Sequence, residues 1–203
     1  MNFLCHFHLA GDDTGLIIGG LLGDHIKGPL KGNWPADWEQ GIKLHRHIDS
    51  LTDNHPAAKT FIETLPKHYR RFAPIMLDVC FDYCLAQQWS DYHPAPLPSF
   101  AQEVYQIFEQ SSHALPQKAA NHSARLAEFD VLSGSKDWAL IARMLTAIDA
   151  RFKKPTPLTE CEATLKNRLN EIQSIFTEIY ADLDQQLLNY RPSVIRGNLH
   201  GRH

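Results

Sequence analysis

At 203 residues, with 43 % hydrophobic and 21 % charged residues, the chain has ordinary globular composition and enough length to bury a sizeable core in one domain. A formal net charge of -3 argues against nucleic acid as the main partner, and no apolar run approaches the roughly 18–20 residues of a membrane span. The opening MNFLCHFHLA lacks a basic n-region, which argues against a signal peptide. The cysteines Cys5, Cys80, Cys84 and Cys161 show no metal-knuckle spacing and suit reduced core thiols in a cytoplasmic protein.

Strand signals are nearly absent, whereas helical punctuation is plentiful. A short apolar opening, 2–10, leads to the loop Gly11-Asp12-Asp13, after which Thr14 is placed to cap a helix running to about Lys27. The loop 28–34 follows. Pro35 then stands where a first-turn proline belongs, with a helix to about Asp53. Pro56 starts a short helix, and Pro74 a longer one to about Trp89. HPAPLPS (93–99) is a stiff connection, and helices are predicted near 99–115, 117–132 and 136–152. Leu158, Cys161, Leu165, Leu169, Ile172, Phe176, Ile179, Leu183 and Leu187 then recur every three or four residues. They make one apolar stripe on one long helix over about 159–190, a core-packing pattern. The polar tail 191–203 is expected to be poorly ordered, with His200 and His203 incidental. The fold class is all-α, a single compact helical bundle over 1–203.

The informative residues are polar ones on apolar faces. On a helical wheel of 38–53, Trp38, Gly41, Ile42, Leu44, Ile48 and Leu51 share one side, and Glu39, Gln40, Lys43, His47 and Ser50 the other. His45 and Asp49 fall inside the apolar arc one turn apart, with Thr52 on the same face and Asp53 at its edge. Over 74–89, Asp78 and Asp82 repeat the pattern within an arc of Ile75, Val79, Phe81, Leu85 and Trp89. Asp24 ends LIIGGLLGD, a segment apolar all round whose glycines permit close helix approach. His6 and His8 lie on different faces of the opening segment, so one of the two is expected to point inward. Buried carboxylates on one turn need a positive counterpart: a metal, an arginine or a protonated histidine. Mixed imidazole and carboxylate ligands suit Mn²⁺, Mg²⁺ or Fe²⁺ on facing helices of a bundle, and such an ion activates water and neutralises phosphoryl oxygens. Taken singly, each group is more often a hydrogen-bonded core residue than a ligand, and Asp78 and Asp82 can be read as ion-pair partners of Arg70 and Arg71.

The segments NFLCHFHLA, GLLGDHIKG, GIKLHRHIDSLTDNHP and RRFAPIMLDVCFDYCL, in this order, resemble the bacterial acyl carrier protein phosphodiesterase family over about residues 2–90. That family is regarded as a divergent, all-helical, HD-like branch of the phosphohydrolases, although the adjacent His-Asp dipeptide that names the superfamily occurs nowhere in this chain. The resemblance implies hydrolysis of the phosphodiester joining 4′-phosphopantetheine to a serine of holo-acyl carrier protein. It implies manganese as the ion, with Mg²⁺ or Fe²⁺ as alternatives. It also points to Asp24 first, as catalytic or metal-binding residue, then His45 and Asp49, then Asp78 and Asp82, with His6 or His8 completing the shell. In that scheme Asp24 ligates the ion or accepts the water proton. His45 protonates the leaving group or is a ligand, and Arg46 contacts the phosphate. The partner is an acidic carrier protein, for which Lys27, Lys31, Arg70 and Arg71 are candidate contacts among the basic residues of the N-terminal third. Competing readings are an HD-like hydrolase of a small nucleotide or another phosphoester, a non-catalytic helical adaptor with arginine-paired acids, and a helical iron oxygenase.

Overall fold

The computed structural model describes residues 1–187, so the expected tail and its two histidines lie outside the described residues. Among them there are helices and loops and no strand, as the sequence predicts. In chain order come α1 (Phe3–Ala10), α2 (Thr14–Gly23), α3 (Ala36–Asn54), α4 (Pro56–Thr64), α5 (Lys67–Arg70), α6 (Ala73–Gln87) and α7 (Trp89–Tyr92). They are followed by α8 (Leu97–Ser111), α9 (Gln117–Glu128), α10 (Val131–Gly134), α11 (Trp138–Asp149), α12 (Glu162–Asn167) and α13 (Leu169–Leu187). Single 3-10 turns precede α9 and α12.

Two helices are core elements. α1 buries Leu4, Cys5, His6, Phe7, Leu9 and Ala10, and α6 buries residues on every side, Met76 to Ala86 among them. They pack on each other and are covered by α2 and α3 on one flank and by α13 on another. The predicted apolar stripe holds with one exception: Leu158, Cys161, Leu165, Ile172, Phe176, Ile179, Leu183 and Leu187 are all buried, whereas Leu169 is half-buried. It does not ride on one helix, however. The chain breaks at Arg168, where φ -113 and ψ 14 leave helical geometry, so α12 and α13 share the stripe across a turn. Periodicity sees the face and is blind to such a break, because the apolar spacing continues through it.

The helix starts also refine the expectations. Asp13, not Thr14, caps α2, its carboxylate accepting from the Leu16 amide at 2.9 Å. Pro35 stands one residue outside α3, whereas Pro56 opens α4 and Pro74 lies in the first turn of α6. α2 ends at Gly23 rather than near Lys27. The amides of His25 and Ile26 both return to the Leu22 carbonyl, and the chain leaves in a turn. All four cysteines are buried free thiols.

The α2–α3 contact positions the site. A Cβ at Gly19 would stand 2.4 Å from the Trp38 carbonyl oxygen, and one at Gly41 would stand 2.7 Å from the Gly19 Cα. The two backbones therefore touch, and no other residue type fits at either position. Gly15, Gly19 and Gly23 recur every fourth residue along one edge of α2, and each faces α3.

Candidate metal centre

Close approach of α2, together with α1 packed across α3, brings His6, His45 and Asp49 together. One ligand atom from each lies within 4.8 Å of the other two. His6 Nε2 stands 3.0 Å from Asp49 Oδ1, within hydrogen-bond distance, and His45 Nε2 stands 3.2 Å from Asp49 Oδ2. The two imidazoles stack, with centroids 4.1 Å apart and planes 25° apart. Asp24, just past the end of α2, is half-exposed at the mouth, its Oδ1 3.8 Å from His45 Nε2. Gly23 makes this possible: a Cβ there would fall 2.2 Å from His45 Cδ2, inside the ring's own contact distance.

The electrostatics suit a cation. Burial, helped by the charge of His6, drives His45 down to about 3, so its ring is neutral near pH 7 and its Nε2 can offer a lone pair. Burial alone would raise the Asp49 carboxyl. The hydrogen bond and charge of His6, with the Met1 ammonium, outweigh it and hold Asp49 below the usual carboxylate range. Asp24 is shifted upward by burial, with Asp49 adding to the shift. The Nδ1 atoms of His6 and His45 are buried without a hydrogen-bond partner. A ring that turns its Nε2 lone pair toward an ion carries its proton on Nδ1, and here that proton finds no acceptor among the described residues. Two imidazoles and one carboxylate would suit a first-row divalent ion.

The other expected ligands stand elsewhere. Asp82 is fully buried, and its oxygens accept from the amides of Leu4 and Cys5, each at 3.0 Å. It serves the first turn of α1, where helical amides lack intrahelical partners. Asp78 takes the Met1 amino group at 2.8 Å, and Asp49 shares that group at 3.2 Å. Burial opposes the ammonium charge, but Asp78 and Asp49 push it up to about 11. His8 points the other way into an aromatic nest. One ring nitrogen meets the Tyr180 hydroxyl, the other the Tyr92 carbonyl, and Trp89, His93 and Phe100 surround it.

Arg46, expected on a phosphate, instead donates from Nη1 to the Gly28 carbonyl at 2.9 Å and from Nη2 to the Ile26 carbonyl at 2.7 Å, closing the loop after α2. Of the expected partner contacts, Lys27 and Lys31 are exposed in that loop. Arg70 donates to the Leu65 carbonyl, and the Arg71 guanidinium lies over the Phe72 ring. Sequence reasoning missed the Met1 amino group and the role of Gly23. A backbone amine has no place on a helical wheel, but the four-residue glycine spacing was readable.

A family model described as acyl carrier protein phosphodiesterase matches residues 1–183. Among curated proteins of that name, one from Photorhabdus laumondii is 30 % identical over 181 residues, covering 89 % of this chain and 91 % of the relative. One from Enterobacter sp. strain 638 is 31 % identical over 93 % of this chain and 98 % of its own. One from Escherichia coli O6:H1 is 31 % identical over 92 % and 97 %. No solved structure matches the chain, so the HD-like label rests on the sequence resemblance alone.

Proposed function

This chain belongs to the acyl carrier protein phosphodiesterase family, and we infer that it hydrolyses the phosphodiester linking 4′-phosphopantetheine to a serine of holo-acyl carrier protein. The observation that carries the chemistry is the convergence of His6 Nε2, His45 Nε2 and Asp49 on one point beside Asp24. These three residues hold a divalent ion in our reading; the imidazole and carboxylate set suits Mn²⁺, Mg²⁺ or Fe²⁺, and manganese is the one the family resemblance implies. Such an ion supplies charge neutralisation on the phosphoryl oxygens and lowers the pKa of a water near them.

The protein's own groups do the rest. Asp49 stays ionised and orients both imidazoles. Asp24, at the mouth, accepts a proton from the attacking water at Oδ1. As the new P–O bond forms and the bond to the serine oxygen breaks, Asp24 returns that proton to the serine Oγ. The products are apo-carrier protein with a free serine hydroxyl and 4′-phosphopantetheine. His8, Asp78 and Asp82 stay outside this scheme as structural residues, and Arg46 acts through the loop that carries Asp24.

The partner is the acidic carrier protein, with Lys27 and Lys31 in the loop after Asp24 as contacts. The chain works as one domain in the cytoplasm, where four free buried thiols are at home; no helix among the described residues is long and apolar enough to cross a membrane. The direct test is the mass of holo-carrier protein incubated with enzyme and Mn²⁺. Loss of the phosphopantetheine mass, abolished by a chelator, is expected; an intact holo form with metal-loaded enzyme sinks the reading.

A further inference from the structure

A cavity of about 660 Å³ has Asp24 in its wall and is lined by residues of α9 and α11. Phe3 and Ile75 line it from the core helices, Leu126 from α9, and Met144 and Ile148 from α11. We propose that this cavity holds the pantetheine arm of the substrate, so that the phosphodiester at the arm's end lies at Asp24. The proposal rests on the functional reading above and deepens it.

Three observations carry it. The first is continuity. Asp24 belongs both to the cavity wall and to the cluster, 3.8 Å from His45 Nε2. An arm attached to the reacting phosphorus has to leave the centre through adjoining space, and this cavity adjoins it. The second is lining chemistry. Pantetheine carries a gem-dimethyl carbon, a hydroxyl, two amides and a thiol on a narrow chain. It needs an apolar trough with a few polar groups, and a volume within the usual range for small-molecule sites, roughly 300–1,000 Å³. The apolar residues above supply the trough. Asn121 and the hydrogen-bonded pair His25 and His122, with Nε2 and Nδ1 3.0 Å apart, supply the polar groups. The third is charge. Lys118, Arg125 and Arg151, all exposed, also line the cavity and favour the approach of an acidic carrier protein to this part of the surface.

The test uses the full chain with Mn²⁺ and D-pantetheine, the arm without its phosphate, as calorimetric ligand. Met144→Trp fills the cavity from α11. Asn121→Trp intrudes from an exposed position on α9, where a large side chain spares the core. Wild type is expected to bind pantetheine saturably. Both variants, checked for unchanged circular dichroism, are expected to bind it at least tenfold more weakly and to lose at least tenfold in kcat/KM on holo-carrier protein. Absence of saturable binding to wild type, or binding to both variants as tight as to wild type, overturns the proposal. A wild-type protein that binds pantetheine yet leaves holo-carrier protein intact supports the cavity assignment and overturns the functional reading instead.

Discussion

Gly23 and His45 are pressed so close that a single methyl group on the glycine would sit 2.2 Å from His45 Cδ2 and 2.3 Å from Cγ. Ordinarily Gly→Ala inside a helix stabilises by roughly 0.5–1 kcal/mol. Here Gly23→Ala is expected to destabilise by about 1–3 kcal/mol through overpacking. The displaced imidazole is expected to lower phosphopantetheine release by about a hundredfold, the usual result of misplacing a reacting group by an ångström. Gly20→Ala is the internal control. Three residues earlier on the same helix, its Cβ would meet the Phe7 ring at 3.4 Å, ordinary contact, so stability is expected to hold or rise. Thermal denaturation and activity of the two variants side by side check this; equal behaviour removes Gly23 from the site.

Much of the site was legible because helical angle alone decides which residues share a face. His45 and Asp49 meet as the wheel places them, and Asp24 reaches the same centre from the neighbouring helix. What stayed hidden involves groups without an address on a wheel. Asp78 and Asp82 share an arc, yet the backbone amides of Leu4 and Cys5 claim one and the Met1 amine the other. Glu39, expected on the wet side, is buried. The break at Arg168 leaves the apolar spacing intact, so the sequence pattern carries no trace of it.

Arg46 offers a clean separation of two roles. Its guanidinium is spent on the carbonyls of Ile26 and Gly28. Arg46→Met is therefore expected to lose about 1 kcal/mol, for hydrogen bonds whose acceptors can turn to water. That corresponds to a fall of roughly 2–4 °C in melting temperature. Because the guanidinium is not free for substrate, KM for holo-carrier protein should change less than about threefold. A KM increase of tenfold or more, at unchanged melting temperature, would return Arg46 to the phosphate.

Asp82 makes a prediction in pH. Burial outweighs its amide hydrogen bonds and pushes the carboxyl up to about 6, above its ordinary 3.8. The folded state thus holds its proton more tightly than the unfolded chain does. The linked stability is fully present below about pH 4 and is lost as pH rises toward and through 6, after which it is level. Two units correspond to roughly 3 kcal/mol. Asp82→Asn cannot titrate, so wild type should lose about that much relative to the variant between pH 4 and pH 7. Denaturant titrations of both at several pH values read the difference directly, and parallel pH profiles would refute a raised Asp82.

The strongest division of labour lies between Asp49 and Asp24. Asp49 touches both imidazoles, at 3.0 and 3.2 Å, whereas Asp24 stands 3.8 Å from one of them. If Asp49 is a ligand, its loss must exceed the roughly 10–100-fold drop in metal affinity that follows removal of a group merely supporting a ligand. Asp49→Ala should therefore bind Mn²⁺ at least about a hundredfold more weakly. The linkage between ligand and fold gives a second readout: at a hundred times its dissociation constant a bound ion stabilises by about 2.7 kcal/mol. Mn²⁺ should raise the melting temperature of wild type by several degrees and leave Asp49→Ala unmoved. Asp24→Asn keeps the three ligands and loses the proton acceptor. It should retain most of the Mn²⁺ affinity and the thermal shift while turnover falls by about 10²–10⁴-fold. Should Asp24→Asn abolish Mn²⁺ binding while Asp49→Ala preserves it, the two roles exchange, and Asp24 becomes the carboxylate that holds the ion.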